Sequence, residues 1–337
     1  MGSTVLAILL AAASSASAEV PQSADAACSA ATAYSDARRG FALLVMRDGK
    51  AICDTRTTPA EAPHELWSGT KSFVGIMAAA AVQDGLLSLD EPVAATITEW
   101  ADDPVRRTMT IRQLLSMTNG QGGTIGKPPT YAEAVAQKLS ATPGEKFQYG
   151  PAPMQLFGEV MRRKLAKAGQ DADSYAYLKR RILDPLGIRV AAWRRGADGY
   201  ALLPQGAVLT AAQWAKFGRF ILDGGRHQGR MLVDPVAFAE QFRGSTAHPG
   251  YGLTWWLPHP SATPDPVTAG SDIGRRAAEL PKDLVVAAGA GDQRLYVIPS
   301  RRMVIVRQAR LDLASFGPNA DPARRWSDAD FLKLLLD

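Results

Sequence analysis

The sequence predicts an α+β fold: an antiparallel sheet flanked by helices and built from both chain ends, with a mostly helical second domain inserted between them. Three observations lead there. Strand patterns gather near the two ends, the middle of the chain reads almost wholly as helix, and 337 residues at 46% hydrophobic and 21% charged suffice for a substantial core. The expected divisions are a leader at 1–18, the sheet domain at 19–100 and 244–337, and the helical domain at 101–243.

The leader comes first. An apolar run from Val5 to Ala13 ends in small residues and an A-x-A-like site at Ala16-Ser17-Ala18. That run is far short of the roughly 20 residues a membrane span needs, and no later segment reads as a span. A periplasmic or secreted protein is therefore expected. The two cysteines, Cys28 and Cys53, can pair in an oxidising compartment or remain as two buried thiols. On the chain-entropy model a bridge across that separation would contribute roughly 3–4 kcal/mol.

The mature chain is expected to open with strands. "FALLVMRDGKAICDTR" sets two apolar segments around Asp48-Gly49, a hairpin signal. "TKSFVGIMAAAAVQDG" is apolar or small at nearly every position and stops at Gly85, which predicts a helix buried on all sides. Thr130 with Glu133, and Thr210 with Gln213, have capping-box spacing at the starts of "TYAEAVAQKL" and "TAAQWAKFGRFIL". "APMQLFGEVMRRKLAKAG" and "DSYAYLKRRIL" are amphipathic helices between them. "KDLVVAAGAGDQRLYVIPSRRMVIVRQ" gives three strands separated by turns, and "SDADFLKLLLD" a closing helix. Pro-rich "HPSATPDPVT" reads as a surface loop.

Composition excludes several functions. A net charge of +5 spread over the whole chain, with no run of five basic residues, gives no basis for nucleic-acid binding. The four histidines form no ligand pair, "HELWS" puts Ser68 where a zinc motif needs its second histidine, and no metal or organic cofactor is expected. There is no G-x-S-x-G elbow and no Walker A pattern, and "GAGDQR" fails the dinucleotide fingerprint at its last position.

"HELWSGTKSF" carries the chemistry. Ser68 and Lys71 lie three positions apart, hence on one helical face. A serine needs a base to become a nucleophile. Trp67, Phe73 and Val74 can desolvate the lysine and lower its pKa, while a helix start offers free N–H groups to a developing oxyanion. The same residues also fit an ordinary serine cap followed by a solvated lysine.

Beyond this pattern, "ELWSGTKSF…VQDGLLSLDEPV", "MTIRQLLSMTNG", "PGEKFQYGPAPMQLFGEVM", "YLKRRILDPLGI" and "AVLTAAQWAKFGRFILDGGR" resemble, in order, landmarks of the serine β-lactamase and penicillin-binding-protein superfamily, in its class C-like branch of esterases and hydrolases. The resemblance spans about residues 40 to 310. It implies a β-lactamase/transpeptidase-like fold, Ser68 as nucleophile, Lys71 as its base partner and Tyr149 as a proton-moving phenol whose pKa a nearby ammonium would draw towards the working range; without the resemblance Tyr149 reads first as a core tyrosine after a turn. Two positions depart from the family. Pro151 stands where an asparagine is usual, and Ala287-Ala288-Gly289 aligns with a third motif that normally begins with a cation. Gly289 remains small enough for a strand to approach an acyl group, with the N–H of Ala290 beside that of Ser68 as second oxyanion donor. Gln293 reads as a pocket contact or a turn residue. Arg275, Arg276, Arg294 and Arg307 are candidates for the lost cation. His227-Gln228-Gly229 and His248-Pro249-Gly250 match H-x-G literally but read as loops.

The expected function is an exported serine hydrolase forming an acyl-enzyme with a small ester, amide or β-lactam-like substrate. A β-lactamase, a D-amino-acid peptidase and a silent envelope-binding protein of the same fold are the alternatives.

Overall fold

The computed structural model describes residues 24–55, 62–260, 272–312, 321 and 324–337. The leader and most of the Pro-rich loop lie outside them. The chain opens on helix α1 (Ala24–Asp36), then strands β1 (Gly40–Arg47) and β2 (Lys50–Asp54) and the two-residue strand β3 (His64–Glu65). A 3-10 turn at Trp67–Thr70 runs directly into α2 (Lys71–Gln83). Helices α3 (Ile111–Leu115), α4 (Tyr131–Ala136), α5 (Ala152–Lys167) and α6 (Ser174–Leu178) follow, then short strands β4 (Ala192–Trp193) and β5 (Ala207–Leu209). Helix α7 (Ala211–Leu222), the β6–β7 hairpin (Arg226–His227 and Arg230–Met231) and α8 (Pro235–Glu240) lead back to β8 (Val285–Gly289), β9 (Gln293–Ile298), β10 (Met303–Ala309) and α9 (Asp328–Leu336).

Among the described residues the main sheet has the order β2-β1-β10-β9-β8, antiparallel throughout. It joins the two chain ends, as the strand patterns predict. Asp48 and Gly49 take positive φ, the geometry a two-residue hairpin needs to match strand twist. Cys28 on α1 and Cys53 on β2 are joined in a disulfide with Cα atoms 5.4 Å apart, which ties the first helix to the edge of the sheet.

Two expectations need correction. A helix, not a strand, opens the described fold: "ADAACSAATAYSD" is rich in alanine, the best helix former, and only Ala31 and Ser35 are buried. The amphipathic stripe that announces most helices is therefore faint. The second concerns α7, which falls inside the stretch assigned to the helical domain but packs on β9, β10 and β1. Its Gly218 explains the close fit, since a Cβ there would meet Val304 Cγ1 at 2.5 Å and Leu295 Cδ1 at 2.6 Å.

Helix α2 occupies the centre. Residues 71 through 81 are all buried, and Gly85 at positive φ ends the helix. Phe73 stacks on Phe217 of α7 with ring centroids 4.0 Å apart. Gly75 lets the backbone of Leu253 approach so closely that a Cβ would sit 2.5 Å from its carbonyl oxygen. A helix gripped on every face cannot rotate or slide, and the residues at its first turn are fixed accordingly. No helix among the described residues is long and apolar enough to cross a membrane.

Candidate active site

The segment entering α2 is pinned before it reaches Ser68. β3 pairs with β5, the Leu66 N–H donates to the Ala207 carbonyl at 3.0 Å, and the Ala207 N–H donates to the Thr70 hydroxyl at 3.2 Å. Trp67 is driven to φ +49, an uncommon conformation for a large side chain. Ser68 thus sits in the 3-10 turn rather than as the first residue of the α-helix, still one turn from Lys71.

Lys71 Nζ lies 2.9 Å from Ser68 Oγ and donates to the Pro204 carbonyl at 3.1 Å. The side chain is 3% exposed. Burial lowers its pKa from 10.5 to about 7. Near neutrality a large share of the amine is uncharged, and an uncharged amine at this distance has a lone pair with which it can accept a proton.

Tyr149 closes the trio from the other side. Lys71 Nζ sits 4.8 Å from the centre of its ring, and the phenol has a hydrogen-bonding interaction with the Ser68 hydroxyl. The ring is held by Trp256 at 5.4 Å and, edge-on, by Tyr251 at 6.0 Å. The expectation that the lysine draws this phenol down in pKa is corrected. Burial pushes it up to about 12, and only the Ser68 contact and the Arg294 charge pull against that. The amine faces the ring rather than the phenol oxygen and itself loses charge, so it exerts little pull. A phenol raised in this way stays protonated near neutrality and is no resting base.

The third wall is β8. A Cβ on Gly289 would lie 2.0 Å from the Leu66 carbonyl oxygen and 3.1 Å from the Gly69 nitrogen. The strand end therefore abuts the backbone on both sides of Ser68, a fit only glycine permits. Along β8, Val286 turns both its backbone groups outward, to Trp256, at 3.0 Å each. Alternation along β8 then turns the backbone groups of Ala288 towards the same edge as those of Val286, and the turn residue Ala290 follows the Gly289 that abuts the backbone around Ser68.

A serine, a buried lysine and a tyrosine on an α+β scaffold match a recognisable group of proteins. The family model described as Beta-lactamase covers residues 25–326. This chain belongs to that β-lactamase family. Its members are serine hydrolases, and so is this protein at that level of description. Over 155 residues, 36% of this chain and 37% of the other, it is 28% identical to a lovastatin esterase from Penicillium rubens. A putative β-lactamase from Bacteroides dorei superposes with a TM-score of 0.71 over 92% of this chain and 96% of its own, at 16% identity. EstCE1, a hydrolase with promiscuous acyltransferase activity, gives 0.69 over 93% and 99%, also at 16%. At such identities the superpositions establish the β-lactamase/transpeptidase-like fold.

Several residues of this β-lactamase-family chain lie elsewhere than the sequence suggests. Gln293 is not a pocket contact: its side chain is fully buried and bonded to the backbone of the β8–β9 turn and of Ala309 on β10. Three of the four candidate arginines are committed to partners elsewhere. Arg294 pairs with Asp328 at 2.8 Å inside the sheet, Arg307 donates to Ser35 and to the Asp292 carbonyl, Arg276 is bound to Glu279 and Asp330, and Arg275 is exposed on a turn. Ala287 is buried on β8, and Pro151 caps α5 two residues beyond Tyr149. His227 belongs to the short β6–β7 hairpin rather than a loop. His248 is buried on a turn, its ring 4.1 Å from that of Phe147. Sequence reasoning missed Pro204, Tyr251 and Trp256, which position the lysine and the phenol. Only the aromatic density of "YGLTWWL" gave a signal.

Proposed function

We propose that the protein is an exported serine hydrolase that cleaves a small ester, or a comparable amide, through an acyl-enzyme on Ser68. One observation carries the reading: a buried amine with a pKa of about 7 lies 2.9 Å from a serine oxygen, with a phenol alongside. Lys71 takes the Ser68 proton as Oγ attacks the carbonyl carbon. The N–H groups of Ser68 and Ala290 receive the oxyanion. As the tetrahedral intermediate collapses, the carbon–oxygen bond to the leaving group breaks, Tyr149 protonates the departing oxygen and is reprotonated from Lys71. Water repeats the sequence to release the acid.

The lovastatin esterase and EstCE1 likenesses support an ester over other acyl substrates. Ala287 argues the same way, because a β-lactam carboxylate would find no lysine there. The disulfide, with the apolar run and the Ala16-Ser17-Ala18 site, supports export. Pro151 and Ala287 favour a second reading, a silent binding protein of the same fold.

A fluorophosphonate and a set of p-nitrophenyl esters separate these. We expect the probe mass on the Ser68 peptide, hydrolysis of short neutral esters, and nitrocefin turnover slower by at least tenfold. A protein that is neither labelled nor active is the silent module, and faster nitrocefin turnover makes it a β-lactamase.

A further inference from the structure

The turn between β8 and β9 has an unusual pattern of support. Its five consecutive carbonyls, from Gly289 to Gln293, all accept from side chains. Arg294 Nη1 donates to Gly289 at 3.4 Å and to Gln293 at 3.1 Å. Gln293 Nε2 donates to Ala290 at 3.3 Å and Gly291 at 3.2 Å. Arg307 Nη1 donates to Asp292 at 2.8 Å. All three donor side chains are fully buried.

The donors are themselves locked. Arg294 Nε is held by Asp328, which also accepts from Trp326 Nε1 at 3.0 Å. Arg307 Nε donates to the Ser35 hydroxyl at 3.0 Å, and its guanidinium lies 3.9 Å from the centre of the Trp326 ring. The Gln293 amide clamps Ala309 of β10, accepting from its N–H at 3.1 Å and donating to its carbonyl at 2.6 Å.

A trans peptide points its C=O and its N–H in opposite directions. Holding the Gly289 carbonyl inward therefore holds the Ala290 N–H outward. A cationic donor on a peptide oxygen also polarises the group and makes its N–H a stronger donor. An ordinary hairpin would need none of this, since its turn carbonyls can be left to water.

We infer that Gln293, Arg294 and Arg307 are positioning residues for an oxyanion donor. They fix the Gly289–Ala290 peptide in the orientation that catalysis needs, and Arg294 polarises it from behind the sheet. This rests on the reading of Ser68 as an acylated nucleophile and adds a role for a cation that lies behind the sheet. The positive charge acts through a peptide bond, out of reach of substrate.

The test uses the full mature protein, with rates expressed per Ser68 titratable by fluorophosphonate so that unfolded molecules do not count. Arg294→Lys keeps a charge beside Asp328 but loses the planar group whose Nη1 reaches both carbonyls while its Nε holds Asp328. The double variant Arg294→Met with Asp328→Leu removes the buried pair together, which is commonly tolerated where a single removal is not. Losing one oxyanion donor outright costs about 10²–10³-fold, so a weakened donor is expected to lower kcat by about 10–50-fold in both variants. KM should stay within threefold, and affinity for a trifluoromethyl ketone should fall in proportion to kcat/KM. A purely structural arginine would leave kcat per titratable site and inhibitor affinity within twofold of the parent, and that result overturns the inference. If the parent itself is neither labelled at Ser68 nor active on esters, the reading of the site fails, and the inference falls with it.

Discussion

Ser68→Ala is expected to abolish ester hydrolysis, lowering kcat by about 10⁴-fold or more, as deletion of an activated nucleophile does elsewhere. The hydroxyl removed is the one that Lys71 Nζ approaches to 2.9 Å. The variant keeps both backbone N–H groups of the proposed oxyanion site and the whole aromatic wall around Tyr149, so it should still bind a neutral ester. Its Kd for a non-hydrolysable ketone lacking an electrophilic carbon substituent should match that of the parent within a few-fold. Steady-state turnover of p-nitrophenyl acetate, with circular dichroism as a check on folding, provides the measurement. Hydrolysis within tenfold of the parent would mean that Ser68 is not the nucleophile.

Lys71→Met is expected to move activity and stability in opposite directions. The folded-state pKa of Lys71 is about 7 against 10.5 for the free group. That difference corresponds to about 5 kcal/mol of burial cost for the charged form. Below pH 7 both folded and unfolded chains hold the proton and the whole cost is present. Between pH 7 and 10.5 the unfolded chain binds a proton that the folded one lacks, so stability climbs as pH rises. Above 10.5 the cost is gone. Methionine carries no such cost but forfeits the contacts with Ser68 and Pro204, each worth about 1 kcal/mol. The variant should therefore be more stable than the parent by about 3 kcal/mol at pH 6, with the advantage vanishing near pH 9 and the parent ahead by about 1 kcal/mol at pH 10. Urea unfolding at pH 6 and pH 10 measures this, and an advantage that does not shrink with pH would contradict the assigned burial cost. Turnover in the variant should fall by at least about 10³-fold. In the parent, kcat/KM should rise with pH through about 7 as the amine loses its proton.

The nucleophile helix was legible because its information is local. Spacing alone places Ser68 and Lys71 on one face, and the unbroken apolar run from Phe73 onward announces a buried helix. The Asp48-Gly49 hairpin and the capping threonines were legible for the same reason, although Gln213 completes only half of its box, its side chain accepting instead from the Arg189 N–H. Tyr149 was not readable from its own neighbourhood and came from resemblance. The fates of Gln293, Arg294 and Arg307 were hidden, because each depends on which way a strand residue points once the register β8–β9–β10 is set. The placement of α7 was hidden too: helix period and chain order do not reveal against which layer a helix folds back. The pKa of Tyr149 was misjudged because sequence supplies proximity but not orientation, and Lys71 meets its ring instead of its oxygen.

The Trp256–Val286 pairing limits what can be processed. Beyond Val286 that border of β8 runs only through buried Ala288 to half-buried Ala290, a stretch of roughly 7 Å. A polymer chain trying to zip alongside would run into the indole-bearing hairpin after a single rung. Such a doorway suits compact molecules presented end-on, and it weighs against long extended peptides as the natural diet of this hydrolase.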